Sequence, residues 1–215
     1  MKIAIVAATE LELDLCRDYV HNQTRKNVYE PIVSGIGMAE TVFNLTKYYI
    51  ESKPDLIIQI GFCGSVSHER KIGEVFYISE EQIFDLGKLE NNKFTPLQEM
   101  VFFVKNKIVQ DTIFRPKIPS LSSLKTLKKT IGITSNSAHA DSFFVKYLNE
   151  NFPSALESME GAALFMVCQN LNIECLQLRA VSNYVDLPEK QNWNIKIAQK
   201  NLFESFKIII DELEN

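Results

Sequence analysis

The chain opens on Ile3-Ala4-Ile5-Val6-Ala7-Ala8, a continuous apolar run with no polar residue at alternate positions. Such a run fits a strand covered on both faces, and therefore a sheet sandwiched between helices. Further strands are expected at Pro31–Val33, Leu56–Ile60, Gly73–Ile78, Ile131–Thr134 and Ile173–Val181, with only a short one possible over Pro153–Leu156. Helical spacing lies between them: a helix is expected to reach about Ser52, another to run from Ser142 to Asn151, another from Ala162 to Leu171, and a last one from about Trp193 to Leu213. In that last helix Ile195, Ala198, Leu202, Phe206, Ile209 and Leu213 share one stripe, which reads as core packing. Strands alternating with helices imply an α/β fold with a mostly parallel central sheet flanked by helices.

A length of 215 residues at 46% hydrophobic content suits one sizeable core, so a single domain over residues 1–215 is expected. Between residues 80 and 130 the pattern loosens. Asn91-Asn92 marks a turn, and Pro96, Pro116 and Pro119 with Ser120, Ser122 and Ser123 indicate an excursion within that domain. Inside it, Met100–Val104 is apolar enough to cover its own core or a partner.

Composition narrows the partners. A formal charge of -4, with no run of lysine or arginine, argues against nucleic acid. The six apolar residues before Thr9-Glu10 are too few for a signal-peptide core or a membrane span, so no membrane partner is expected. Cys16, Cys63, Cys168 and Cys175 form no CxxC pair and have no histidine at metal-ligand spacing. Free thiols in a reducing cytoplasm, with no metal and no cofactor, are the simplest expectation.

Polar groups gather where strands should end. Thr9 and Glu12 have capping-box spacing, so Glu12 either satisfies a helix start or projects into a cleft. Ser34-Gly35-Ile36-Gly37 and Gly61-Phe62-Cys63-Gly64-Ser65 are glycine-containing exits whose backbone amides can face a small polar ligand or simply make tight turns. Ser135–Asp141 is a polar loop in which His139 either contacts a ligand or is solvated. Glu157-Ser158-Met159-Glu160-Gly161-Ala162-Ala163 puts a carboxylate at the junction of a short strand and a helix, either as a stabilising terminal charge or as a ligand group. Ser182-Asn183 closes the set. In a parallel sheet these groups would share one side and one cleft. Two glutamates and an amide there suit cleavage of an N-glycosidic bond, whose transition state needs activated water, held sugar hydroxyls and a stabilised leaving base.

These segments resemble the signature segments of the nucleoside phosphorylase and nucleosidase superfamily: Met1-Lys2-Ile3 through Glu12, Gly61–Gly64, Ser158–Ala162 and Arg179-Ala180-Val181-Ser182-Asn183. Within it, Phe84-Asp85-Leu86-Gly87, Phe94-Thr95-Pro96-Leu97, Glu157–Ala163 and Ser182-Asn183-Tyr184-Val185 with Trp193 look most like the futalosine hydrolases of menaquinone biosynthesis. The resemblance implies that Glu12 activates water, that Glu160 holds the ribose hydroxyls, and that the Met159 backbone, next to Ser158, assists. It puts Asn183 where adenine-cleaving nucleosidases carry a proton-donating aspartate. An asparagine cannot deliver a proton, but its NH2 donates well to the O6 of a 6-oxopurine, so hypoxanthine is the better fit. The base-stacking aromatic of related nucleosidases falls at Ala138, with His139 beside it, so Phe62 is left as the alternative stack and Cys63 and Gly64 as its neighbours. A carboxylate at Glu12 and no arginine at Phe62-Cys63 disfavour a phosphate nucleophile, unless Arg17 or Arg25 folds back. The expected reaction is hydrolysis of futalosine to hypoxanthine and dehypoxanthinyl futalosine. Cleavage of methylthioadenosine or adenosylhomocysteine, a purine nucleoside phosphorylase, and a non-catalytic nucleoside-binding domain are the alternatives. The small-molecule partner is a purine nucleoside, and the resemblance implies a homodimer.

Overall fold

The computed structural model describes residues 1–215 except 23, 92, 106–111, 139, 140, 188 and 190–192. The elements run β1 (Lys2–Ala7), α1 (Glu10–His21), β2 (Val28–Val33), α2 (Met38–Ser52), β3 (Leu56–Ser65), β4 (Val75–Ile83), β5 (Gly87–Glu90), β6 (Lys93–Pro96), α3 (Val101–Lys105), β7 (Ile113–Phe114), β8 (Lys128–Thr134), α4 (Ser142–Asn151), β9 (Leu156–Ser158), α5 (Gly161–Leu171), β10 (Glu174–Tyr184) and α6 (Ile195–Glu214). This is an α/β fold on one central sheet, as the apolar runs imply.

The sheet is mixed. β1 pairs in parallel with β2 and β3, β3 with β10, and β8 with β4 and β9, whereas β4–β10, β3–β9 and β4–β7 are antiparallel. β10 joins both β3 and β4, which closes a circuit through β8 and β9, while β7 lies outside it against β4. Two of its strands, β3 and β10, continue past their expected ends. They carry Gly61–Ser65 and Ser182–Tyr184 within paired backbone, with an irregularity between Val181 and Asn183.

Alternation along these strands divides the core. Ile3, Ile5, Leu56, Ile58, Leu176 and Leu178 pack with Leu13 of α1 and Leu202, Phe206 and Ile209 of α6. Ala4, Val6, Ile57, Cys175 and Val181 pack with Leu45 of α2 and Leu164, Phe165 and Cys168 of α5. Each fully buried Ile, Leu or Phe contributes about 1.5–3 kcal/mol, so both faces are strongly held. The predicted α6 stripe is realised in its middle, with Ala198, Leu202, Phe206 and Ile209 buried.

The excursion is more ordered than its sequence suggests. β4 extends to Ile83 and β8 starts at Lys128, so both ends of the segment belong to the sheet. Asn91, at φ +51°, turns the β5–β6 hairpin, and Asn92 lies outside the described residues. Phe84 and Phe94 are buried, with Phe94 edge-on to Tyr147 of α4. Val101, Phe102 and Val104 stay at least half exposed, so these three side chains are not part of the core. Among the described residues no helix is long and apolar enough to cross a membrane.

Candidate active site

At the C-terminal end of β1 the backbone turns into α1, whose third residue is Glu12. Both readings of this side chain hold at once. Its Oε2 accepts from the backbone N and the hydroxyl of Thr9, at 3.1 and 3.0 Å, and its Oε1 accepts from the Phe62 backbone N at 3.1 Å. The helix cap orients the carboxylate, and the strand beside it fixes the second oxygen.

Glu160 stands at the N-cap of α5 but caps nothing of its own. Its Oε1 accepts from Gly37 N, 3.0 Å away at the start of α2. Gly37 has φ +86°, a conformation that an L side chain resists, and this turns the amide toward the carboxylate. Glu160 is 6% exposed. Burial pushes its carboxyl above the ordinary value, the Arg179 charge and the Gly37 N–H oppose that, and the Glu12 charge adds to it. The two glutamates therefore feel each other.

Both line one cavity of about 320 Å3, in the range of small-molecule sites. Thr9 and Glu12 come from the first strand–helix junction, Phe62, Cys63 and Gly64 from β3, Ser135, Ser137 and Ala138 from the loop after β8, Glu157–Glu160 from β9 and the α5 start, and Ser182 and Asn183 from β10. The anticipated cleft residues are thus brought together, except that His139 lies outside the described residues. Trp193 and Ile195 also line the cavity, so the start of the last helix region, read in the sequence as core packing, contributes to this wall.

The Asn183 amide has a defined orientation. Its Nδ2 donates to the Tyr184 carbonyl at 3.2 Å and its Oδ1 accepts from the Ser182 hydroxyl at 2.8 Å. A carbonyl only accepts, so Tyr184 fixes which edge carries the NH2, and one N–H of that group is left for other partners. Burial pushes the Cys63 thiol up to about 12, which keeps it neutral and a poor nucleophile.

Beneath the cavity lies a polar layer that sequence reasoning missed. Arg179 is 2% exposed and donates from Nη2 to Gln59 Oε1 at 2.9 Å. It pairs in register with Gly61, where a Cβ would fall on the guanidinium and 3.0 Å from Glu12 Oε1. The missing side chain lets the cation lie against the back of Glu12. Glu81 of β4 is 1% exposed and accepts from the Thr134 hydroxyl at 2.9 Å. That hydroxyl in turn accepts from Ala162 N of α5 at 2.8 Å. A Cβ on Gly161 would overlap the Glu81 carboxylate, so glycine opens the helix start to it. Burial raises the Glu81 carboxyl to about 7, against the opposing pull of Arg179, Thr134 and Gln177. The available signal for this layer was an arginine inside an apolar strand, since a buried cation requires partners. Arg17 and Arg25 do not approach the cavity; Arg17 pairs with Glu10 and Arg25 lies 3.7 Å from Asp211.

A larger depression, about 840 Å3, runs along α2 beside Met38, Val42, Phe43 and Ile50. It gathers no acid–base group comparable to the glutamate pair. Among the described residues no cluster of three His, Cys, Asp or Glu side chains is arranged to hold a metal.

The α/β fold with a polar cavity at strand ends is that of an enzyme-like class, and a family model described as "Phosphorylase superfamily" matches residues 2–211. The chain belongs to that superfamily. Among its relatives is the 5'-methylthioadenosine/S-adenosylhomocysteine nucleosidase of Buchnera aphidicola, 27% identical in an alignment of 234 positions covering 99% of each chain. Among solved structures, the MTA/SAH nucleosidase of Streptococcus pneumoniae in complex with 8-aminoadenine superposes with a TM-score of 0.80 at 18% identity, over 100% of this chain and 99% of that one. The futalosine hydrolase of Helicobacter pylori does so with a TM-score of 0.75 at 16% identity, over 99% and 98%. These two likenesses establish the fold.

Proposed function

We propose that this protein hydrolyses the N-glycosidic bond of futalosine, releasing hypoxanthine and dehypoxanthinyl futalosine for menaquinone biosynthesis in the cytoplasm. The observation that carries the reading is the cavity itself, in which Glu12, Glu160 and an oriented asparagine amide face one space.

In this mechanism Glu12 takes a proton from water as the oxygen approaches the anomeric carbon. Its carboxylate is held by Thr9 and by Phe62 N, so little reorganisation accompanies proton transfer. Glu160 accepts from the ribose hydroxyls beside the backbone of Met159 and the Ser158 side chain, and its negative charge favours the developing oxocarbenium ion. The remaining N–H of Asn183 donates to O6 of the base, which departs as its anion and takes up a proton from solvent to become hypoxanthine. Phe62 and Trp193 supply apolar wall against which a ring can stack, with Cys63, Gly64 and Ala138 completing the base end. Water is the preferred nucleophile because a phosphate dianion would meet the Glu12 carboxylate, while Arg179, the nearby cation, is sealed behind it.

A second reading is favoured by the names of the 27%-identical relatives, which are methylthioadenosine/adenosylhomocysteine nucleosidases. Offering futalosine and methylthioadenosine separately, then identifying the free base, distinguishes them. Hypoxanthine from the first and little adenine from the second is expected, with Asn183→Asp shifting the balance toward adenine. Adenine release alone overturns the futalosine assignment, and release of neither base over hours indicates a binding domain.

The homodimer belongs to the same proposal. Phe43 and Ile50 on α2 are 66% and 68% exposed, and Ile36, 61% exposed, lines the cavity at the same edge. A second copy seated there would cover this apolar face and shield the sugar end of the site.

A further inference from the structure

We propose that Glu157 selects the base: its carboxylate accepts the N1–H of a 6-oxopurine whose O6 takes the Asn183 amide. This rests on the nucleosidase reading above and deepens it, because it names the group that distinguishes oxo from amino purines.

The backbone of Glu157 is fixed on both sides. In β9 it pairs with Gly64 of β3 and with Ile133 of β8, so the position of its Cα is set by two ladders. The side chain forms part of the cavity wall. Gly64 provides the measure of its direction. The point where a Gly64 Cβ would stand lies 3.8 Å from Glu157 Oε2 and 3.4 Å from Asn183 Nδ2. A carboxylate oxygen and an amide nitrogen therefore flank the same glycine in the cavity wall, with the Val185 Cγ2 methyl 3.1 Å from that point as the apolar neighbour.

The pairing has a chemical meaning. A 6-oxopurine presents an acceptor, O6, directly beside a donor, N1–H. An amide N–H next to a carboxylate complements that edge in both positions. A 6-aminopurine presents the reverse, a donor amino group beside the N1 lone pair. Its lone pair would meet the carboxylate, and its amino group would meet an N–H, so both contacts turn repulsive. Glu157 thus rejects as well as recruits, which is how a site gains discrimination beyond what one hydrogen bond supplies.

Calorimetric titration of the full-length protein with hypoxanthine, 1-methylhypoxanthine and adenine tests this without relying on turnover. Wild type is expected to bind hypoxanthine on the order of tenfold or more tighter than either other base. In Glu157→Gln, nearly the same in shape, the hypoxanthine-to-adenine preference falls by a similar factor, because the new NH2 can donate to adenine N1. In Glu157→Ala the penalty for the 1-methyl group disappears. If the wild type favours hypoxanthine and Glu157→Gln keeps that preference unchanged, Glu157 is not the selector, while the hydrolase reading stands. Equal binding of hypoxanthine and 1-methylhypoxanthine by the wild type overturns the proposal even if a variant fails to fold. Preference of the wild type for adenine overturns both this inference and the futalosine assignment.

Discussion

Two sets of carboxylates lie close together in this molecule and are treated in opposite ways. Glu12 and Glu160 face the cavity, each anchored by a backbone amide of a different element. Glu81, a layer below, is sealed inside the strand circuit with Arg179, Gln59 and Gln177, and reaches the Ala162 amide of α5 through the Thr134 hydroxyl. The first pair can exchange protons and hydrogen bonds with a ligand. The buried group can only shape the field and hold the helix start. A polar side chain near the site is thus no guide to its role; what decides is whether its free lone pairs open on the cavity.

Removing charge from the open pair should have the largest effect. Glu160→Gln and Glu12→Gln are each expected to lower turnover on the order of a hundredfold or more, with the folded state retained by circular dichroism. Near-normal rates in both would erase the distinction between the two layers.

The sealed carboxylate predicts a smaller effect, on stability rather than turnover. Because the fold raises Glu81 to about 7 from 4.5, folding favours its protonated form. Its contribution is therefore best below pH 4.5 and is lost as pH rises toward 7, by up to ~3 kcal/mol, after which it levels off. Glutamine does not titrate, so the stability of Glu81→Gln relative to wild type should improve between pH 5 and pH 8 in denaturant unfolding. Parallel curves for the two proteins would mean that Glu81 is compensated at all pH values.

Much of the frame was legible beforehand. The continuous apolar runs placed the buried strands, and helical spacing placed α4 and α5 nearly to the residue. The groups expected at strand exits do line one cavity, although not by the shared strand direction expected: β9 pairs antiparallel with the end of β3 at Gly64 and Ser65 and carries β8 beside it, so strand ends of both directions meet there. What stayed hidden was non-local. β3 and β10 run on through Gly61–Ser65 and Ser182–Tyr184 because they pair with each other there, and no local pattern announces a partner. β4 looked finished at Ile78 because Ser79-Glu80-Glu81 breaks its apolar run, yet Glu81 is buried where only the closed circuit supplies Thr134, Gln177 and Arg179. Arg17 and Arg25 were candidates by sequence proximity to the first strand, and their own acidic neighbours hold them elsewhere.

In the proposed reaction water, activated at Glu12, displaces the purine. Incubating the enzyme with futalosine in 18O-labelled water, with and without inorganic phosphate, tests it most directly. Hypoxanthine is expected at the same rate in both, with one labelled oxygen on the anomeric carbon of the sugar product. Release that requires phosphate and yields an unlabelled sugar phosphate would contradict it.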